Sequence, residues 1–167
     1  MGIFSSLFGN KKNLKPHHYS QQKSETESRL FRPELVDSLT HDHQTIITLL
    51  NEINELINNQ DFKSIDTKIQ ELRLQLQNHV IVENVQLYSY LEMKLNNDPN
   101  NLEFIQRVRK EMNHISHTVV QFSRRYEAAH FTEQLQQKFT RDLKAIGDMI
   151  RQRIAMEEGL LYTLYKA

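Results

Sequence analysis

The sequence predicts an all-α protein: an antiparallel, up-down four-helix bundle preceded by a basic tail. Three observations point there. Only four glycines and three prolines occur in 167 residues, in a composition rich in the helix formers Leu, Gln, Glu, Lys and Arg. Apolar residues recur at three- and four-residue steps in four long segments, the spacing that puts side chains on one face of a helix. Short polar breaks separate those segments, as expected for helices that turn back on their neighbours.

Composition sets the outer limits. A chain of this length makes one ordinary domain plus a tail, and such a domain buries roughly 68 to 70% of its unfolded surface, enough to fold without covalent staples. The chain has no cysteine, which excludes disulfides, zinc ribbons, iron–sulfur clusters and thiol nucleophiles. Lys plus Arg equal Asp plus Glu at 21 each, which argues against direct nucleic-acid binding. No apolar run has the length of a membrane span and MGIFSSLFG does not read as a secretory signal, so the expected setting is soluble and cytoplasmic.

Residues 1–31 read as a flexible basic tail and residues 32–167 as the bundle. Lys11, Lys12, Lys15, Lys23 and Arg29 against Glu25 and Glu27 make the tail net +3 and the body net −3, and a stretch of this composition does not bury enough to order itself. Ile3, Phe4, Leu7 and Phe8 form a short apolar patch, and MGIFSS matches the myristoylation pattern. Weak membrane contact of this patch stands beside the plainer reading of an unstructured tail. His17 and His18 belong to the same stretch and carry no assigned role.

Four helices follow. Pro33 suits a first turn, and Leu35, Leu39, His43, Ile46, Leu50, Ile53 and Ile57 carry the first helix to a loop at Asn58, Asn59, Gln60 and Asp61. The second helix runs from about Asp61 to Asn96, with Ile65, Ile69, Leu72, Leu76, His79, Glu83, Leu87 and Tyr90 on its seam. Asp98 caps the third helix with Pro99 in its first turn, and Ile105, Val108, Met112, Ile115, Val119, Phe122 and Tyr126 share one stripe. After a connection at Ala128 to Thr132, the fourth helix places Phe139, Leu143, Ile146, Ile150, Arg153, Glu157, Leu160 and Leu164 on its core face. Gly147 in mid-helix costs roughly 1 kcal/mol, which suggests close helix contact there.

Five seam positions that should be apolar are polar: His43, His79, Glu83, Arg153 and Glu157. Isolated buried charges are prohibitively costly, so these groups must pair with one another or hold a metal. His79 and Glu83, four residues apart, lie one above the other on the stretch LRLQLQNHVIVENVQLYSYL around which the chain is organised, and can converge on one ion.

At these residues the chain resembles the hemerythrin-like, HHE cation-binding domains. THDHQTII is similar to that family's first His motif, with His43 on the core face and His41 turned away. HVIVENVQLY is similar to its His-x-x-x-Glu motif, matching His79 and Glu83, and RIAMEEGLLY to its last motif, with Glu157 as the carboxylate. The likeness covers roughly residues 33–165 and implies a four-helix bundle that holds two irons and handles oxygen or nitric oxide. Two positions depart from it. Met112 stands where the third-helix His would fall, since His114 and His117 lie about 120° and 180° from the centre of the apolar stripe. Arg153 stands where the fourth helix would carry a His, and a guanidinium offers no lone pair to a metal.

The surviving set is His43, His79, Glu83 and Glu157, and two readings stay open. One is a single non-heme iron in an incomplete shell, sensing or carrying O2 or NO. The other, which the sequence favours, is metal-free: Arg153 reaches Glu157 and Glu83 while His79 and His43 donate to the carboxylates. VVQFSRRYEA and DLKAIGDMIRQRIAMEEGLLYTLY also resemble the bacterial regulator of sigma D and alginate-regulator proteins, which implies a protein partner in transcription. No Gly-rich phosphate loop or nucleophile elbow is present, and Arg107, Arg109, Lys110, Arg124 and Arg125 read as solvated faces. The expected function is therefore a binding or regulatory module rather than an enzyme.

Overall fold

The computed structural model describes residues 30–166. The apolar patch, the myristoylation pattern, His17 and His18 lie outside the described residues. The elements are α1 (Leu35–Asn58), α2 (Ile65–Val82), a π-helical turn at Glu83–Tyr88 leading into α3 (Ser89–Lys94), α4 (Pro99–Tyr126), α5 (Glu133–Met156), a second π turn at Glu157–Leu161, and α6 (Tyr162–Lys166). The two π turns are continuous with their flanking helices, so α2–α3 and α5–α6 are each one rod.

Local chemistry sets the ends of these rods. Asp98 accepts from the Asn101 backbone N–H at 3.2 Å and Thr132 from that of Leu135 at 3.3 Å, which satisfies first-turn donors of α4 and α5. Asp61, expected near the start of the second helix, lies before it and accepts from Ser64 through the backbone N–H (3.4 Å) and the hydroxyl (2.6 Å). Gln60 and Ala128 end the preceding turns at φ 58° and 54°, in the left-handed region that favours glycine.

Cross-rod pairs run in opposite directions along the chain, which makes the neighbours antiparallel. Asp42 meets Gln75 while Glu52 meets Lys68. Asn113 and Arg109 meet Asn84 while Ala128 meets Asp66. Arg125 meets Asp142 and Val108 meets Arg153. The fourth rod closes back on the first at Tyr162 and His43, completing the bundle.

The apolar interior is divided. One cluster runs from Ile46 through Leu72, Val119 and Phe139 to Ile150. The other gathers Leu35, Leu39, Leu87, Tyr88, Leu91, Ile105, Leu161 and Tyr165. The polar layer described below lies between them. Burial of each Leu or Ile contributes roughly 1.5 to 3 kcal/mol, and this is what offsets the cost of the polar groups sandwiched inside.

The π turns correct the sequence register. A straight α-helix after Glu157 would bury Leu160 and Leu164, but Leu160 is 42% exposed and Leu164 only half-buried, while Leu161, Tyr162 and Tyr165 are buried. One extra residue per turn rotates everything downstream, and π turns of this kind recur at functional sites. Arg109 braces the first of them. Its Nη2 donates to the Asn84 carbonyl at 3.1 Å and its Nε to Asn84 Oδ1 at 2.9 Å, while Nη1 pairs with Glu92 at 2.9 Å. Arg109 is thus half-buried structure rather than a solvated charge. Gly147 also departs from expectation. A methyl group there would meet Leu50 at an ordinary 3.9 Å, and its tightest neighbour is the movable end of Arg151, so helix packing does not require the glycine.

Candidate metal centre

His43 from α1, His79 from α2, Arg153 from α5, and Glu83 and Glu157 at the heads of the two π turns are all buried. The fold brings the five polar seam residues into one layer. The α4 rod contributes Met112, also buried, and the Val108 carbonyl. His41, His114 and His117 are exposed, as their register predicts.

The two imidazoles meet with ring centroids 4.7 Å apart. Each turns Nδ1 toward a rim carboxylate: His43 Nδ1 lies 2.8 Å from Glu158 Oε1, and His79 Nδ1 lies 3.5 Å from Asp42 Oδ2, with Asp42 held by Gln75 at 3.0 Å. Each turns Nε2 inward, His43 to Glu157 Oε2 at 3.1 Å and His79 to Glu83 Oε2 at 3.7 Å. A carboxylate behind Nδ1 with Nε2 facing a cluster is the arrangement that orients ligating histidines.

Arg153 spends its donors elsewhere. Nε donates to Glu157 Oε1, Nη2 to the Tyr88 hydroxyl, and Nη1 to the Val108 carbonyl at 3.1 Å. It makes no bond to Glu83, so the metal-free network expected from sequence closes on one side only. Of the eight buried side-chain polar atoms without a hydrogen bond among the described residues, five belong to this layer. They are both nitrogens of His79, both oxygens of Glu83, and Oε2 of Glu157.

Electrostatics divides the carboxyls. Burial pushes Glu83 well above the ordinary carboxylate range, and the neighbouring Glu157 charge pushes it further. Burial acts the same way on Glu157, but His43 and Arg153 outweigh it and hold that pKa below the usual value. Burial works against charge on His43, yet Glu157 and Glu158 raise its pKa overall, whereas His79 is lowered by burial and by its proximity to His43. Burial thus favours the neutral, lone-pair-bearing form of His79, while Arg153 bonds to Glu157 rather than to Glu83.

These residues fit one metal ion. Donor atoms of His43, His79 and Glu157 all lie within 4.8 Å of one another, with Glu83 beside them. Bonds of about 2.0 to 2.2 Å span at most about 4.4 Å across an ion, so the widest pair would close by a few tenths of an ångström. Two imidazoles and a carboxylate are a donor set for divalent first-row metals. The guanidinium of Arg153 holds the far oxygen of Glu157.

Sequence reasoning missed Tyr88 and Tyr162 as members of the layer, along with the rim residues Asp42 and Glu158. Tyr162 brings its hydroxyl to 3.2 Å from His43 Nε2 and stacks on that ring at 9° between planes. Each tyrosine follows its glutamate by five residues, Glu83 to Tyr88 and Glu157 to Tyr162, a spacing that would diverge by about 140° on an α-helix. The repeated Glu-x-x-x-x-Tyr spacing is the signal that was there to find.

A four-helix bundle with a buried layer of histidines and carboxylates defines a helical cation-binding domain. The sequence matches the family model for the hemerythrin HHE cation-binding domain over residues 34–165, and the chain belongs to that family. No curated protein and no solved structure matches it.

Proposed function

We propose that this domain is a binding module for one divalent metal ion, held by His43 Nε2, His79 Nε2 and Glu157 Oε2 with Glu83 as the adjoining carboxylate. The observation that carries the reading is the convergence of donor atoms of His43, His79 and Glu157 within 4.8 Å of one another, beside a Glu83 whose two oxygens accept no hydrogen bond. A buried polar group left unmatched costs about 1 to 3 kcal/mol, and one cation would satisfy several at once. Iron is the ion the family implies. A bound ion would supply Lewis acidity and an attachment point for a small ligand.

The protein's own residues do the rest. Asp42 and Glu158 fix the imidazole orientations, and Arg153 holds Glu157 by its outer oxygen. A cavity of about 10 Å³ opens at the layer itself, lined by His43, His79, Arg153 and Glu157 and by apolar side chains such as Met112 and Ile150, space for about one water-sized molecule. That size suits capture of O2 or NO by a sensing or carrying module and has no room for an organic substrate.

The test is ion counting. Chelator-stripped protein is titrated anaerobically with Fe(II), and separately with Zn(II), then desalted and analysed for metal. One ion per chain is expected, lost in His79→Ala and in Glu157→Gln. Unmodified protein that retains neither metal, with no rise in melting temperature, would sink the reading.

A further inference from the structure

We propose that Arg153 is a built-in cation that limits the centre to one metal ion and makes it selective for the divalent over the trivalent state. This rests on the one-ion reading above. The guanidinium is 5% exposed and holds Glu157 Oε1, while Oε2 of the same carboxylate faces His43 Nε2. An ion held by Oε2 would therefore share one carboxylate with a fixed positive charge.

That charge does not move away. Arg153 is anchored at three points on three rods: Glu157 in its own, the Tyr88 hydroxyl on the second, and the Val108 carbonyl on the third. A guanidinium stays charged under all ordinary conditions. Of the two carboxyl groups inside the layer, Glu157 is already paired with Arg153.

Two charges on opposite oxygens of one carboxylate, about 6 Å apart in a medium of effective dielectric constant about 20, interact strongly enough that one further unit of charge on the ion is disfavoured about a hundredfold. Arg153 thereby decides which oxidation state the centre retains, a role distinct from that of the ligands.

The experiment uses the full chain loaded anaerobically with one equivalent of Fe(II), with the Fe(III)/Fe(II) midpoint potential read by dye-mediated titration. Arg153→Gln should lower that potential by the hundredfold change in relative affinity, about 120 mV for a one-electron couple. Arg153→Lys keeps the charge and should leave the potential nearly unchanged. The Gln amide still donates to Glu157, which protects the fold where a hydrocarbon would not. A second readout needs no variant: unmodified protein at saturation should hold one ion. A Gln variant with the parental potential overturns the proposal while Zn(II) binding leaves the functional reading intact. Two ions per unmodified chain also overturn it. Failure to bind Fe(II) or Zn(II) overturns both.

Discussion

Glu83 offers a test with an unusual sign. Both of its oxygens are buried without an accepted hydrogen bond, and burial with the Glu157 charge disfavours its ionised form, so in metal-free protein the ionised carboxyl costs stability. Glu83→Leu should stabilise the stripped protein by about 1 to 3 kcal/mol, the desolvation cost of an unmatched polar group. At about 3 to 5 °C per kcal/mol for a domain of this size, the midpoint should rise by roughly 3 to 15 °C. Its pH dependence has a definite sign. Burial and the Glu157 charge raise the folded-state pKa of Glu83 well above its ordinary value, so its cost to stability is smallest below that ordinary value and grows as pH rises through the folded pKa. The gain from Glu83→Leu should therefore be larger at pH 7.5 than at pH 4.5. Thermal unfolding by circular dichroism in EDTA, at both pH values and again with Zn(II), measures all of this. Unmodified protein should gain about 2.7 kcal/mol at a hundred times its Kd, and the variant should need more Zn(II) for the same gain. If Glu83→Leu lowers the stability of stripped protein by 1 kcal/mol or more, Glu83 has a partner and the case for an ion weakens.

Three other predictions follow from the same structure. Arg153→Leu should cost about 3 to 5 kcal/mol in urea unfolding of stripped protein, because it leaves Glu157 buried beside Glu83 without its cation. Gly147→Ala should raise stability by up to about 1 kcal/mol, since the added methyl displaces only the end of Arg151 and removes the glycine's helix penalty. Burial and its bond to Asp142 push the Tyr126 phenol up to about 12 from 10.0. Its contribution is complete below pH 10 and is lost as pH rises toward 12, so Tyr126→Phe should flatten the alkaline fall of the urea midpoint over that window.

The layer at the middle of the bundle was partly legible in the sequence. His43, His79, Glu83, Arg153 and Glu157 each stand in register with apolar neighbours, and a three- or four-residue period carries that information without coordinates. The partners of Arg153 were not legible. Whether the guanidinium turns to Glu83 or to Tyr88 and Val108 depends on crossings between rods, and no spacing along one helix encodes these. The same holds for Asp42 and Glu158, rim residues whose roles exist only because an imidazole from another part of the fold points at them.

The four helices, the cap at Asp98, and the buried stripes, through Leu87 and Tyr90 in the second helix and as far as Glu157 in the fourth, were determined by the sequence alone, because amphipathic periodicity and capping are local. The burial pattern after Glu157 and the arrival of Tyr88 in the layer were decided by the tertiary structure. A π turn adds one residue to a helical turn, and its cost is met by contacts from elsewhere, such as Arg109 on the Asn84 carbonyl. That single added residue turned Leu160 outward and carried Tyr88 and Tyr162 into the layer. Local propensity is nearly indifferent to such a shift, and long-range packing is not.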